Sequence, residues 1–182
     1  MGSIARFVAR FALVLGLVLA FGIEASAKPP ADMAEFQNRF VVEAKTPEGA
    51  VKLWFQGLLL WQNVVTRDLG RKILLATTHD LPANFETSAP HQTFRNRTFH
   101  EPWIAWSFCA GTSPANGYKT DLDKCELTFT GSREEYDSWA VWLKSSGADS
   151  NRKISLIKRA DGIWMISNYP GMYAGVRPPQ TN

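Results

Sequence analysis

The longest hydrophobic pattern in the chain follows Thr46-Pro47-Glu48. Over residues 50–62 nearly every position is apolar, and Lys52, Gln56 and Asn63 leave one narrow polar stripe at helical spacing. A threonine before this run can cap free backbone N–H groups, a proline is preset for the first helical turn, and a glutamate complements the positive helix end. The pattern predicts a largely buried helix that begins at its proline.

Weaker helical patterns lie on both sides of this segment. Residues 28–45 carry apolar side chains at helical spacing and are interpreted as a short leading helix or an extended arm. After the main helix, the spacing of Leu69, Ile73 and Ala76 predicts a second helix that ends by His79. Residues 81–102 show no sustained periodicity and contain three prolines, which predicts a long irregular stretch with at most a short helical turn.

Strand-like segments dominate the rest of the chain. Five runs rich in Trp, Val, Ile, Phe and Thr are separated by Gly, Asn, Asp or Ser, and they predict strands over residues 103–108, 126–130, 137–145, 152–160 and 163–169. Asp161-Gly162 suits a two-residue type I′ turn between the last two. Helices followed by a meander predict an α+β fold in which the helices cover one face of a curved antiparallel sheet.

Three stretches carry a family resemblance. They are Thr46-Pro47-Glu48-Gly49-Ala50 at the main helix, Ser146-Gly147-Ala148-Asp149-Ser150-Asn151-Arg152 before a strand that leads to Trp164, and a terminal Gly175-Val176-Arg177-Pro178. Together with the order of helices and strands, they resemble an uncharacterised family of exported bacterial domains that has the nuclear transport factor 2-like (cystatin-like cone) fold. The resemblance implies N-terminal helices packed in the concavity of a curved antiparallel sheet, in a single cone-fold domain over residues 46–178. It carries no activity or catalytic residue. Residues 179–182 are interpreted as a frayed tail.

The first 27 residues predict export. Arg6 and Arg10 precede an apolar run over residues 11–23, and Ala25-Ser26-Ala27 then offers the small residues that a signal peptidase accepts. A helix that spans the hydrocarbon core needs roughly 20 apolar residues, so this run is too short for a stable anchor. We therefore expect a signal peptide over residues 1–27, a periplasmic or secreted mature protein, and no stable membrane insertion after cleavage.

Composition and charge narrow the class of protein. The chain has 182 residues, of which 45% are hydrophobic and 12% aromatic, which is typical of a globular domain and excludes a disordered chain. Its net charge of +3 is too small to indicate a dedicated nucleic-acid partner. Cys109 and Cys125 flank a turn-rich loop and lack the neighbouring ligands of a metal site, so in an exported chain they are expected to form a disulfide.

Ionisable side chains gather in the irregular region. They are His79, Asp80, His91, His100 and Glu101. No pair has the spacing of a recognised metal motif, so the favoured interpretation is solvated loop residues, with neither metal nor cofactor. Three of them, Asp80, His100 and Glu101, are retained for the alternative hypothesis of a small acid/base enzyme of isomerase, dehydratase or hydrolase type that uses the cone cavity.

Tryptophan is the most unusual component of the sequence. Trp54, Trp106 and Trp142 are candidates for the wall of a ligand pocket, and Arg152 is a candidate fork for a carboxylate or phosphate. Trp139 and Trp142 must face opposite sides of one strand, so one of them points away from the helices, where two copies of the chain could pair through the sheet. The leading hypothesis is a non-enzymatic exported domain that binds a small apolar ligand or an envelope protein partner.

Overall fold

The computed structural model describes residues 28–180, and in this part of the chain helices precede a four-stranded antiparallel sheet. The helices are α1 (Met33–Glu43), α2 (Pro47–Gln62), α3 (Arg67–Thr77), α4 (Gln92–Arg95) and α5 (Trp103–Trp106). Short 3-10 turns cover Ala89–His91, Pro114–Asn116, Leu122–Lys124 and Pro170–Tyr173, and a π-helical turn covers Asn96–His100. The strands are β1 (Phe129–Glu135), β2 (Ser138–Leu143), β3 (Arg152–Lys158) and β4 (Trp164–Asn168).

The main helix begins where the sequence predicts. The Thr46 hydroxyl accepts a hydrogen bond from the backbone N–H of Gly49 at 3.1 Å, which satisfies one of the free donors of the first turn. Most side chains of α2 are buried, as the narrow polar stripe predicts. The leading segment forms helix α1 rather than an extended arm over Met33–Glu43, and Phe36 anchors it in the core. The second predicted helix is confirmed as α3.

Helices α2 and α3 approach each other closely at Gly70. A Cβ atom at this position would lie 2.6 Å from the carbonyl oxygen of Gly57, well inside van der Waals contact. Only a residue without a side chain fits there, so α3 lies directly against the backbone of α2.

The four strands form a meander in the order β1-β2-β3-β4. Val141, Ile154, Leu156 and Ile166 are fully buried from solvent and belong to the same core as α2. The predicted α+β fold, with helices packed against a curved antiparallel sheet, is confirmed. At the outer side of β4, the His79 backbone N–H donates to the Ile166 carbonyl at 2.7 Å, so the end of α3 continues the edge of the sheet.

Two of the five predicted strands are wrong in place or type. Residues 103–108 contain helix α5 instead of a strand. Ile104, Ala105 and Phe108 are buried while Trp106 is only half-buried, which is a helical pattern of burial and not an alternating one. The strand expected over residues 126–130 is displaced to β1, because polar residues after Gly131 are tolerated in an edge strand that is largely exposed.

The turn between β3 and β4 differs from the type I′ prediction. Gly162 has φ +86°, but Asp161 does not have a positive φ, whereas a type I′ turn needs both. The Gly162 N–H donates to the Arg159 carbonyl at 2.9 Å, and the Arg159 N–H donates to the Ile163 carbonyl at 2.8 Å. The connection is therefore a three-residue loop with a left-handed glycine.

The long segment before α5 is more regular than predicted. Residues 89–100 form consecutive short helical turns, which the irregular interpretation of residues 81–102 did not anticipate. Phe94 is buried, and the Arg95 guanidinium donates to the carbonyls of Phe85 and Ser88 at 3.2 and 2.8 Å. Tertiary anchoring of this kind is invisible to a search for local periodicity.

The expected disulfide is present. Cys109 and Cys125 are bonded, and Cys109 also pairs with Leu127 in an isolated antiparallel bridge. Disulfides persist mainly in oxidising compartments outside the cytoplasm. The predicted signal peptide lies outside the described residues. Among residues 28–180, the helices lack the length and apolar character needed to cross a bilayer.

Candidate functional site

A cleft of about 440 Å³ opens where β4 ends, and we call it the β4 cleft. One wall is formed by the segment that contains His91 and Phe94, and the other by the chain from Ser167 through Tyr173. The first wall is helical and pinned to the core, and the second continues from an edge strand. Both walls of the cleft are therefore fixed to the rest of the fold.

Aromatic rings form the floor of the β4 cleft. The ring centroids of Phe94 and Tyr169 lie 5.1 Å apart, and that of Trp54 lies 5.5 Å from Tyr169 and 6.5 Å from Phe94. The Tyr173 ring lies 6.4 Å from Tyr169 at a steep angle, which extends the aromatic surface towards the mouth. Such a surface favours a flat apolar ligand face.

Polar groups in the cleft are left available for a ligand. Within residues 28–180, neither the Tyr169 nor the Tyr173 phenol forms a hydrogen bond with another residue. The His91 Nδ1 lies 2.9 Å from the Ser88 hydroxyl, which leaves its Nε2 for another partner. The cleft therefore offers two phenols and one imidazole nitrogen beside an apolar floor.

Burial raises the pKa of both phenols of the cleft. Desolvation raises the pKa of Tyr169 above its ordinary value of 10.0. Desolvation also raises the pKa of Tyr173, and the nearby Tyr169 raises it further. At neutral pH both groups stay protonated, so they can donate hydrogen bonds but are poor general bases.

A family model described as a domain of unknown function, DUF6935, matches residues 28–180. The chain belongs to the DUF6935 family. No curated protein and no solved structure matches the chain. The match covers every residue that the structure describes, so the β4 cleft lies inside the DUF6935 domain, and α1 is part of that domain as well.

The four predicted ligand-binding residues do not meet in one place of the DUF6935 domain. Trp54 is fully buried and donates its indole N–H to the Thr78 hydroxyl at 3.0 Å, so it supports the floor of the β4 cleft from beneath. Trp106 lies half-buried on α5, with an indole N–H that is enclosed and has no partner in the described part. Trp142 stands on the outer face of the sheet, under the Arg133 guanidinium at 4.8 Å.

Arg152 lies at the start of β3, away from the floor of the cleft. Its guanidinium donates to the Ser150 hydroxyl at 2.8 Å, and its buried Nε has no partner within residues 28–180. The arginine therefore holds the polar turn before β3 and does not line the β4 cleft.

The acid/base candidates of the DUF6935 domain are also dispersed. Asp80 pairs with the neighbouring His79 at 2.9 Å, and Glu101 pairs with Arg97 at 2.7 Å. The exposed His100 lies against Phe99. Over residues 28–180, no group of three or more His, Cys, Asp or Glu side chains is arranged to hold a metal ion.

The concavity expected of a cone is filled with core side chains. Trp54 on α2 and Ile154 and Leu156 on β3 are fully buried and belong to one hydrophobic cluster. The open space lies instead at the end of β4. Sequence reasoning missed Tyr169 and Tyr173 because they fall where the last predicted strand stops, although two tyrosines around Pro170-Gly171 mark a turn with aromatic side chains on either side.

Proposed function

We propose that this DUF6935 domain is an exported, non-enzymatic binding domain of nuclear transport factor 2-like architecture, and that its β4 cleft takes a small molecule. The order of helices and strands supports the architecture, and the predicted signal peptide together with the disulfide supports export. The observation that carries the function is the pair of phenols above an aromatic floor, half-buried at Tyr169 and buried at Tyr173, neither of which has a hydrogen-bond partner within residues 28–180.

The lining defines the chemistry of the ligand. The rings of Phe94, Tyr169 and Tyr173 suit a flat and mainly apolar body. The neutral phenols suit oxygen atoms that accept hydrogen bonds, such as a carbonyl or carboxylate, and the His91 Nε2 adds one further polar contact. The volume of about 440 Å³ lies in the range of small-molecule sites, which is roughly 300–1,000 Å³.

Binding fits this cleft better than acid/base catalysis does. A general base needs a pKa near the working pH, whereas burial moves the pKa of Tyr169 and Tyr173 away from neutrality. The cleft holds one imidazole, His91, and its Nδ1 is already bonded to Ser88. Among the residues of the 28–180 range that line the cleft there is no carboxylate to pair with this imidazole, so the lining favours orienting a ligand over moving its protons.

Native mass spectrometry of the mature protein, purified from its own export compartment, tests the proposal. We expect a small-molecule adduct that is retained by Tyr136→Phe, a control on a fully exposed side chain, and lost from the double variant Tyr169→Phe/Tyr173→Phe. The substitutions keep every ring of the floor and remove only the hydroxyl groups. The denatured mass also tests cleavage after Ala27.

A solution titration makes the test independent of co-purification. We expect 4-hydroxybenzoate, a flat aromatic carboxylate, to shift the NMR signals of His91 and Phe94 in the wild type, and to bind about tenfold more weakly to the double phenylalanine variant. The proposal would be overturned by a monomer that carries no adduct and whose NMR signals do not shift with 4-hydroxybenzoate. A bare dimer would instead favour pairing through the outer face of the sheet, and co-purification with an envelope protein would favour the partner hypothesis.

A further inference from the structure

A second cleft lies at the opposite end of the sheet, and we call it the hairpin-end cleft. In a meander the β1–β2 and β3–β4 connections lie at the same end, so Tyr136 and Asp137 of the first turn come beside Lys158 and Trp164 of the second hairpin. The cleft has a volume of about 380 Å³. Since the β4 cleft lies at the far end of β4, the two sites are separate.

Two tryptophans form a fixed aromatic surface in the hairpin-end cleft. The ring centroids of Trp139 and Trp164 lie 5.5 Å apart with an interplanar angle of 55°. The Trp139 indole N–H donates to the Ser132 hydroxyl at 2.7 Å, which holds that ring before any ligand arrives. Tyr136 is fully exposed at the rim of the same cleft.

The rim of the hairpin-end cleft carries two carboxylates and one ammonium group. Glu134 lies directly opposite Trp139 in the β1–β2 pairing. In the part of the chain from 28 to 180, the side chains of Glu134 and Asp137 form neither a hydrogen bond nor an ion pair. The Lys158 ammonium lies 5.3 Å from the Trp164 ring centroid. The cleft thus offers two free carboxylates, while one aromatic face already holds the protein's own cation.

We propose that the hairpin-end cleft binds a neutral oligosaccharide of β-linked pyranose units, with its sugar faces on Trp139 and Trp164 and its hydroxyl groups donating to Glu134 and Asp137. An all-equatorial pyranose presents axial C–H groups, which are attracted to the negative face of an indole. Sugar hydroxyl groups are donors that match unpaired carboxylate oxygens.

The position of Lys158 argues against a cationic ligand. An aromatic pair flanked by carboxylates could otherwise hold an organic cation through cation–π attraction. Such a ligand would meet the like charge of the Lys158 ammonium at the Trp164 ring, whereas a neutral sugar would gain a donor for its oxygen atoms. A cation would thus be attracted by the two carboxylates but repelled by an ammonium already at the Trp164 ring, whereas a neutral sugar finds acceptors in the carboxylates and a donor in the ammonium.

Titration of the mature chain, labelled with 15N at its indoles, tests the inference by NMR. The probes are cellotetraose and the tetrasaccharide of β-1,4-linked N-acetylglucosamine, and tetramethylammonium is the cationic comparison. At millimolar concentrations we expect at least one tetrasaccharide to shift the indole signals of Trp139 and Trp164 and to leave that of Trp142 in place, because Trp142 stands on the opposite face of the same strand.

Variants separate binding from folding. Trp164→Ala is expected to weaken saccharide binding by about tenfold, and the matched control Trp142→Ala is expected to leave it unchanged. Should Trp164→Ala not fold, Glu134→Gln/Asp137→Asn alters only exposed groups and is expected to weaken binding several-fold. The inference is overturned if neither tetrasaccharide shifts these indoles, if binding survives the variants, or if tetramethylammonium binds more tightly than both sugars.

Discussion

The indole N–H of Trp54 donates a hydrogen bond to the hydroxyl oxygen of Thr78 across 3.0 Å, and both residues are buried. The bond joins the middle of α2 to the residue that follows α3, where the chain begins to run beside β4. Because the Trp54 ring also lies 5.5 Å from Tyr169, the same side chain connects the core to the floor of the β4 cleft.

Replacing Trp54 by Phe is expected to destabilise the domain. The substitution leaves the Thr78 hydroxyl without its partner and leaves a gap where the indole was, and together these cost about 2–4 kcal/mol in the free energy of unfolding. Urea unfolding followed by circular dichroism measures the loss. Trp142→Phe, on the outer face of the sheet, serves as the control and is expected to cost less than about 1 kcal/mol. Equal losses in both variants would contradict the role of the buried hydrogen bond.

Removal of the disulfide is expected to cost stability through the unfolded state. Cys109 and Cys125 are 16 positions apart, and closing a loop of that size contributes about 3 kcal/mol on the chain-entropy model. The double variant Cys109→Ser/Cys125→Ser should therefore unfold at a lower urea concentration than the oxidised wild type. Reductant should lower the wild-type midpoint towards that of the variant and leave the variant itself unchanged. A midpoint that does not respond to reductant would contradict the prediction.

A shielded ion pair within α1 makes a third prediction. The Arg39 Nε lies 2.7 Å from the Glu43 Oε1, and the two side chains are only 12% and 6% exposed. Arg39 also donates to the Gln56 side chain at 2.8 Å, so the pair joins α1 to α2. Glu43→Gln removes the nearer of two carboxylates beside the guanidinium, while Glu35 remains at 3.8 Å, and we expect a loss of about 2 kcal/mol in urea unfolding.

The matched control is a solvent-exposed pair with the same helical spacing. Lys72 and Asp68 lie 2.7 Å apart on α3, but their side chains are 50% and 74% exposed. Asp68→Asn is therefore expected to cost less than about 0.5 kcal/mol, and that small loss should vanish in high salt. If Glu43→Gln and Asp68→Asn lowered the free energy of unfolding by the same small amount, burial would not strengthen the α1 ion pair.

Local sequence patterns predict the parts of this fold that depend on local chemistry. Helix α2 is found because Thr46 caps it and its polar stripe is narrow, and β3 and β4 are found because a glycine turn separates two strand-like runs. Residues 103–108 are misassigned because Trp, Ile and Phe favour strands on average. Burial of Ile104, Ala105 and Phe108 together needs helical geometry, and that requirement comes from the tertiary structure.

The β4 cleft lies beyond local patterns for a related reason. Phe94 and Tyr173 come from segments far apart in the sequence, and they line one cleft because Phe94 packs on Trp61 and Tyr169 while the chain after β4 folds back beside β3. Of the predicted ligand-binding residues, Trp54 alone lies against this floor, and it does so as a buried support. The amino-acid composition can suggest that a pocket exists, but which residues line it depends on the tertiary packing.

The last prediction concerns alkaline pH. Tyr173 has a raised pKa in the folded protein because of desolvation and the neighbouring Tyr169, whereas in the unfolded chain it should titrate near its ordinary value of 10.0. Above pH 10 the unfolded state therefore loses this proton first, and stability falls as the pH rises, by up to about 1.4 kcal/mol per pH unit for this one group. Below pH 10 its contribution is fully present. Tyr173→Phe should flatten the decline of the urea midpoint between pH 9.5 and 11, a window set by that titration. Tyr136→Phe, on an exposed ring, should retain the wild-type slope, and identical slopes in all three proteins would show that Tyr173 ionises as easily in the fold as outside it.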